Sequence, residues 1–363
     1  MTTLLSIPAP PVAAGDEKTL LTVDDLALAG LIAPSEAPKL RPVAARYSVA
    51  VTPEIAALID RDDPDDPIAR QFLPDWRELV VQPGERADPI GDDVHTPLPG
   101  IVHRYPDRVL LKLLTVCPVY CRFCFRRETV GRGKGDMLSS AETEAALDYI
   151  AANPQIYEVI LTGGDPMALS PRRLRAVAER LAKIPHVAVL RVHTRAPTAA
   201  PELATPEWIA ALRASDKAVF IALHVNHARE LNEPARVAIA HLRDAGIALM
   251  SQTVLLAGVN DDARTLEALM RTLMGLGIRP YYLHHPDLAP GSGHFRLPLE
   301  RGREIYAALA RLLGGPALPT YVLDLPGGFG KARVAGAQAA PDGAGGWTIV
   351  DRTGRRHLYR ESA

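Results

Sequence analysis

The 363-residue chain has little cysteine, few aromatics and no excess of charge of either sign. Its three cysteines, Cys117, Cys121 and Cys124, are crowded into one short segment. A disulfide framework scatters an even number of cysteines through a secreted chain, so this crowding excludes one and points to metal in a reducing compartment. Formal net charge is −1, with 41 Lys and Arg against 42 Asp and Glu. No field of one sign exists to draw in nucleic acid or an anionic membrane. No uninterrupted apolar run approaches the roughly 20 residues that a membrane-crossing helix needs. The opening MTTLLSIPAPPVAAGDE lacks a basic leader and is broken by prolines, which argues against a secretory signal and for a cytoplasmic protein.

What is present is the composition of a folded enzyme-sized chain, with 47% hydrophobic residues to build a core. Residues 1–100 are rich in Pro and Asp and hold only short helical patterns such as TVDDLALAGL, as expected of a segment that wraps another domain. From Arg108 the pattern changes to short apolar runs, each followed by an Ala-, Leu- and Arg-rich segment of helical period. The runs are RVLLKLL at 108, EVILTGG at 158, VAVLRVHT at 187, AVFIALHV at 218, ALMSQTVLL at 248, RPYYLHHP at 279 and TYVLDLP at 320. After the first, they recur at intervals of about 30 residues, the rhythm of successive βαβ units around a parallel sheet. An open doubly wound sheet and a complete or partial barrel both fit that rhythm. The barrel domain is expected over 101–315, and a C-terminal unit over 316–363. In that unit a flexible small-residue stretch, AGAQAAPDGAGG, precedes WTIVDRTGRRHLYRES, which reads as a terminal hairpin.

Polar residues fall at the carboxyl ends of these strands, where barrels of this kind place their chemistry. They are Cys117, then Gly163, Gly164 and Asp165, then His193 and Arg195, His224 and Asn226, Gln252, Asp287, and Asp324 with Lys331. Within CPVYCRFC the cysteines are four and three residues apart. Three thiolates leave one iron of a four-iron cluster without a protein ligand, and an open metal position is where a cofactor binds. The bland alternative, structural zinc, wants four protein ligands, and no fourth cysteine exists. Lys331 follows Gly327, Gly328, Phe329 and Gly330 in an expected loop. A phosphate-binding loop is excluded there, because Leu325 replaces its first glycine and Ala332 its Ser or Thr.

The Cys-x3-Cys-x2-Cys spacing after the first strand resembles that of the radical S-adenosylmethionine (SAM) enzymes. The segments HRYPDRVLL, YCRFCFRR, LTGGDP, HVNH, SQTVLL, GVND, PYYL, HFR and DLPGGFGK, in that order, resemble lysine 2,3-aminomutase and its shorter relative that serves elongation factor P. The resemblance implies a partial (β/α)6 barrel with an N-terminal helical leader, a C-terminal lysine loop and a terminal β-hairpin. It implies a [4Fe-4S] cluster, SAM and pyridoxal 5'-phosphate (PLP) as cofactors, and conversion of L-lysine to β-lysine as the reaction. It assigns Cys117, Cys121 and Cys124 to the cluster, and Gly163, Gly164, Asp165, His224 and Gln252 to SAM. Lys331 becomes the PLP lysine, with Arg104 near the PLP. Arg195 is added as a phosphate binder on charge and placement alone. Arg126 is matched to the substrate carboxylate, and Asp287 with Asp324 to the side-chain ammonium. Expected partners are an amino acid substrate, a flavodoxin or ferredoxin as electron donor, and further copies of the chain. Open alternatives are another cationic amino acid, supply of β-lysine to either an osmolyte or elongation factor P, and, outside catalysis, an iron-sulfur sensor.

Overall fold

Each apolar run singled out above forms a strand in the computed structural model, which describes residues 18–131 and 136–361. The opening stretch read as lacking a secretory signal lies outside the described residues. Strands β2 (Arg108–Leu114), β3 (Glu158–Gly163), β4 (Val189–Thr194), β5 (Ala218–His224), β6 (Ala248–Val254), β7 (Arg279–His284) and β8 (Thr320–Leu325) are parallel and pair in chain order. A doubly wound sheet reverses its strand order partway, whereas this order never reverses, so the sheet is of the barrel type. Helices Ser140–Ala152, Pro171–Ala182, Pro206–Arg213, Glu233–Asp244, Ala263–Gly275 and Leu299–Leu312 follow β2 to β7 in turn, giving the six βα units of a partial barrel.

The helix starts are written locally. Ser139, Ser170, Thr205, Asn232 and Asp262 each accept a hydrogen bond from a backbone N–H in the first turn that follows. The last helix lacks such a cap, and Glu361 from the C-terminal end of the chain accepts from the Leu299 N–H at 2.7 Å instead. Alternate strand residues such as Val109, Leu111, Val159, Leu161, Leu190, Val192 and Ile221 face outward. They bury against Leu147, Ile150, Leu174, Leu181, Leu212 and Leu269 of the helices. Because side chains alternate across a strand, the residues between them face the barrel interior.

Two strands were not anticipated. β1 (Ile101–Tyr105) adds antiparallel to β2, and β9 (Gly330–Arg333) adds antiparallel to β8, so Lys331 stands on a strand rather than in the expected loop. Those two edges approach each other without a ladder. The Lys331 N–H donates to Tyr105 Oη at 2.9 Å, and a Cβ on Gly330 would lie 2.6 Å from the same oxygen. The expected hairpin is β11 (Trp347–Val350) with β12 (Arg356–Tyr359). The small-residue stretch before it, read as flexible, supplies β10 (Ala339–Pro341) as a third strand. It pairs because its main chain is free to do so whatever its composition.

The leader forms short helices, Val23–Leu28, Ala37–Arg46, Pro53–Leu58 and Pro67–Phe72. Leu26, Val51, Ile55, Ile68 and Phe72 build a small core that also takes in Val119 from the cysteine loop. Its main chain holds that loop directly. Tyr120 N–H donates to Ala50 O at 3.2 Å and Arg122 N–H to Gln71 O at 2.8 Å. Fully buried Glu78 accepts from Arg122 Nε at 3.0 Å and Nη2 at 2.6 Å, and from Arg127. Removing this carboxylate leaves two buried guanidinium groups unpaired. Glu78→Ala is therefore expected to cost about 3–5 kcal/mol, read as a lower denaturant midpoint with an unchanged slope.

Candidate functional site

The inward-facing residues, the cysteine loop and the leader enclose one cavity of about 410 Å³, within the size range of small-molecule sites. Its wall carries all three cysteines, Gly163, Gly164, Asp165, His224, Gln252, Arg104, Arg195, Arg126, Asp287, Asp324 and Lys331. Every residue given a role from the sequence thus reaches the same space.

The glycine pair has a steric reason beside any ligand. Gly163 has φ +105°, and a Cβ there would lie 2.5 Å from Leu114 O; one on Gly164 would lie 2.2 Å from Val116 O. Gly164 and Asp165 donate their N–H groups to Leu114 O and Val116 O at 2.7 and 2.9 Å, which anchors the chain entering the cysteine loop. The Asp165 carboxylate is fully engaged. It accepts from Thr194 Oγ1 at 2.7 Å and from the N–H groups of Met167, Arg195 and Ala196 at 2.8 to 3.0 Å. It ties the β3 loop to the β4 loop, and its charge is spent on those donors.

The cysteine loop turns on itself through Cys124 N–H to Cys121 O at 3.1 Å and closes through Gly131 N–H to Thr115 O at 2.9 Å. Burial pushes all three thiols up, Cys121 to about 12, so the bare sulfurs are protonated at neutral pH and release protons when they bind metal. Among the described residues no three His, Cys, Asp or Glu side chains converge on a single ion. A polynuclear cluster takes one thiolate per iron, so three sulfurs spread over one cavity wall fit a cluster with one iron left open. Arg195 lies against this loop. Its Nη1 donates to Cys121 Sγ at 3.1 Å, and its Nη2 to Glu230 at 2.7 Å and Gln71 at 3.0 Å. The phosphate-binding role was inferred from charge and placement alone, and this guanidinium is committed to Glu230 and the cluster loop.

His224 and Gln252 are register partners on β5 and β6. The His224 ring sits edge-on to Phe123 at 5.6 Å, and its Nε2 is buried without a partner. Burial, with Arg195 nearby, holds this imidazole neutral. Two glycines, an unpartnered ring nitrogen and a side-chain amide beside the cysteines form a polar cradle of the kind an adenosyl cofactor would fill.

Around Lys331 the charges are tightly interlocked. Nζ donates to both Asp324 oxygens, at 2.9 and 2.7 Å. Burial opposes both charges, but each is held by the other: Asp324 well below the usual carboxylate range, Lys331 above its ordinary value. Asp287 has no such partner. Burial and the Asp324 charge push it up to about 8, and its Oδ1 is buried without a hydrogen bond. Arg104 and Arg126 share Asp92. Arg104 Nη2 donates to Oδ1 at 2.7 Å, Arg126 Nη2 to Oδ2 at 2.9 Å, and Arg104 Nη1 stands 3.7 Å from Asp324. An amine with two carboxylates and two arginines beside it suits a carbonyl cofactor bearing phosphate together with a zwitterionic substrate.

Several cavity residues escaped the sequence reading. So did Asp92, which stands behind the wall as the partner of Arg104 and Arg126 and sits in the Asp- and Pro-rich leader, where nothing distinguishes it from its neighbours. Arg191, Tyr282 and His284 were detectable by strand alternation, since each lies two residues from a position already noted or from another of the set.

Residues 111–270 match the Radical SAM superfamily. The chain is 38% identical over 313 residues to an L-lysine 2,3-aminomutase of Acetoanaerobium sticklandii, covering 86% of this chain and 75% of that one. It is 39% identical over 286 residues to an L-lysine 2,3-aminomutase of Clostridium subterminale, covering 79% and 68%. An Escherichia coli protein of the same description is 36% identical over 270 residues, covering 74% and 78%.

The Asp287 carboxyl gives a stability prediction. A carboxyl whose pKa rises on folding destabilises the folded chain above its unfolded value near 3.9, because the unfolded state then gives up its proton first. The loss grows from about pH 4 to about pH 8 and then levels off. Asp287→Asn is therefore expected to raise the Tm of the ligand-free protein, and by more at pH 8 than at pH 5. Thermal denaturation across that range checks the slope.

Proposed function

Because the chain belongs to the L-lysine 2,3-aminomutase family within the Radical SAM superfamily, we propose that it is an isomerase that moves the α-amino group of L-lysine to the β carbon. The observation that carries this reading is a single cavity presenting three cysteines, a lysine amine, a carboxylate pair and an arginine together. When bound, the cluster with SAM supplies a 5'-deoxyadenosyl radical, and PLP supplies the carbonyl and ring that hold the migrating nitrogen.

The chain's own residues position, neutralise and exclude water. Cys117, Cys121 and Cys124 would hold three irons and leave the fourth open, beside Gly163, Gly164, His224 and Gln252. Asp165 is a positioning residue that fixes the β3 and β4 loops around that space. Lys331 would anchor PLP, with Arg104 beside it. As an ammonium Lys331 is the counter-ion of Asp324. To hold a carbonyl cofactor Lys331 would have to be the neutral amine, its proton passing to solvent and its ion pair with Asp324 given up. Asp324 is then a bare buried carboxylate next to Asp287, a pair that demands a cation. The side-chain ammonium of lysine meets that demand, while Arg126 faces the α-carboxylate. An acidic substrate side chain would meet two carboxylates and be repelled. A one-electron donor of the flavodoxin or ferredoxin type completes the system. Among the described residues no helix is long and apolar enough to cross a membrane.

Anaerobic incubation of the reconstituted protein with SAM, PLP, dithionite and each common amino acid tests the reaction. β-Lysine from lysine is the expected product, and an unreacted lysine pool refutes the assignment. Replacing any of Cys117, Cys121 or Cys124 with Ala is expected to abolish reductive cleavage of SAM. Lys331→Ala is expected to keep the cluster absorption and lose the PLP imine band. Borohydride reduction and peptide mapping locate the modified lysine, and a label elsewhere moves the PLP site.

A further inference from the structure

Arg195 follows β4 directly and reaches the cysteine loop, where its Nη1 donates to Cys121 Sγ at 3.1 Å. The other prong of the guanidinium is locked. Its Nη2 donates to Glu230 Oε2 at 2.7 Å and to Gln71 Oε1 at 3.0 Å, and its central carbon lies 4.8 Å from the centre of the Phe72 ring and 5.4 Å from that of Phe123. Glu230 is fixed in turn, its second oxygen accepting from the N–H groups of Asn226 and His227 at 2.9 and 2.8 Å. Asn226 Nδ2 shares the Gln71 oxygen at 3.0 Å. Arg195, Glu230, Gln71 and Asn226 are all buried.

The ion pair is therefore an oriented one. The guanidinium touches the Cys121 sulfur with one prong and the Glu230 carboxylate with the other, so the sulfur faces the positive end of the pair. Where water is excluded, the nearer charge is poorly screened and outweighs the farther one. A sulfur bound to iron still has lone pairs that accept an N–H. Hydrogen bonds to the sulfurs and charge nearby are among the levers by which a protein sets the potential of an iron-sulfur cluster. Taking one electron from a donor adds negative charge to the cluster, with no bond to Arg195 made or broken. A charge-assisted hydrogen bond is worth more on the more negative partner.

We propose that Arg195 sets the reduction potential of the cluster that Cys121 helps to hold, its Nη1–H and positive charge favouring the reduced form while Glu230 and Gln71 keep the guanidinium on the sulfur. The proposal rests on the cluster reading above and gives Arg195 a role in the entry of the electron that precedes cleavage of SAM. It replaces the phosphate-binding role with one that the contacts of the side chain support.

The test is an anaerobic redox titration of the reconstituted protein without substrate or SAM, with the reduced cluster counted by its EPR signal. Arg195→Met alone would leave Glu230 buried and unpaired, so the variants are Arg195→Met/Glu230→Gln, which removes both charges, and Arg195→Lys, which keeps the cation and loses the two-pronged fork. The double variant is expected to lower the ratio of reduced to oxidised cluster at a fixed potential about tenfold, a fall of about 59 mV in the midpoint of a one-electron couple. Arg195→Lys should recover part of that shift. Iron content should match the parent in both, since the cysteines are untouched. A residue that merely packs the loop would change iron content and leave the midpoint alone. A parent-like midpoint in the double variant overturns the proposal. So does failure of both variants to take up iron, which would make Arg195 a structural support for the loop. A parent chain that takes up no cluster overturns the cluster reading itself, before any variant is compared.

Discussion

A carboxylate taken out of water needs a partner, and that demand organises this protein wherever its parts meet. Glu78 of the leader is fully buried and neutralised by Arg122 and Arg127 on either side of the last cysteine. Glu230, also fully buried, takes Arg195, which in turn touches Cys121. Asp92 takes Arg104 from β1 and Arg126 from the cysteine loop. Asp324 takes Lys331. In two of these sets, those of Glu78 and Asp92, the acid comes from the leader and its cations from the cysteine loop or the barrel, so the leader does not hold its own balance. The leader is thereby tied to the loop and to the barrel around the cavity, because its buried acids find their cations only there.

The same constraint sets the charge of the cavity. Among the acids of the cavity wall, Asp287 has neither the cation that Asp324 has nor the shell of donors that fills Asp165, and burial with the Asp324 charge pushes its carboxyl up to about 8. The site is therefore poised between two states of charge. With Lys331 on Asp324, one carboxylate is paired and the other is protonated. On the proposed function, Lys331 taken up by a carbonyl would leave Asp324 and Asp287 unpaired, an arrangement that suits a cation. A neutral or acidic side chain gives that space nothing.

Much of this was legible in the sequence, and the reasons are physical. Strand positions were legible because parallel strands buried on both faces read as continuous apolar runs with punctuation at their ends. The cysteines were legible because three thiols so close along the chain suit a metal and little else. The βα rhythm alone did not decide for a barrel, being common to open and closed sheets; the family resemblance implied one, and the sequential pairing agrees. Asp92 and Glu78 were invisible because a buried acid in a leader crowded with aspartates differs from its neighbours only by what lies opposite. The short edges β1 and β9 were missed for a related reason. They hold four or five residues each and mix charged with apolar positions, a pattern indistinguishable from a loop.

The misplacement of Lys331 in a loop is instructive, because the strand supplies what the spacing only hinted at. Asp324 and Lys331 stand seven residues apart, and in the β8–β9 hairpin they are direct register partners. Gly327 and Gly328, with φ of +89° and +85°, turn the chain sharply enough to bring them face to face. Cross-strand partners hold opposite charges within reach at no cost in side-chain search. The carboxylate that pairs with the amine is thus placed by the backbone. A longer or shorter turn would change the register, and a slip of one residue sends a side chain to the opposite face of its strand. The glycines after Asp324 are therefore best understood as the device that sets this distance, and the chemistry of Lys331 depends on the distance being held.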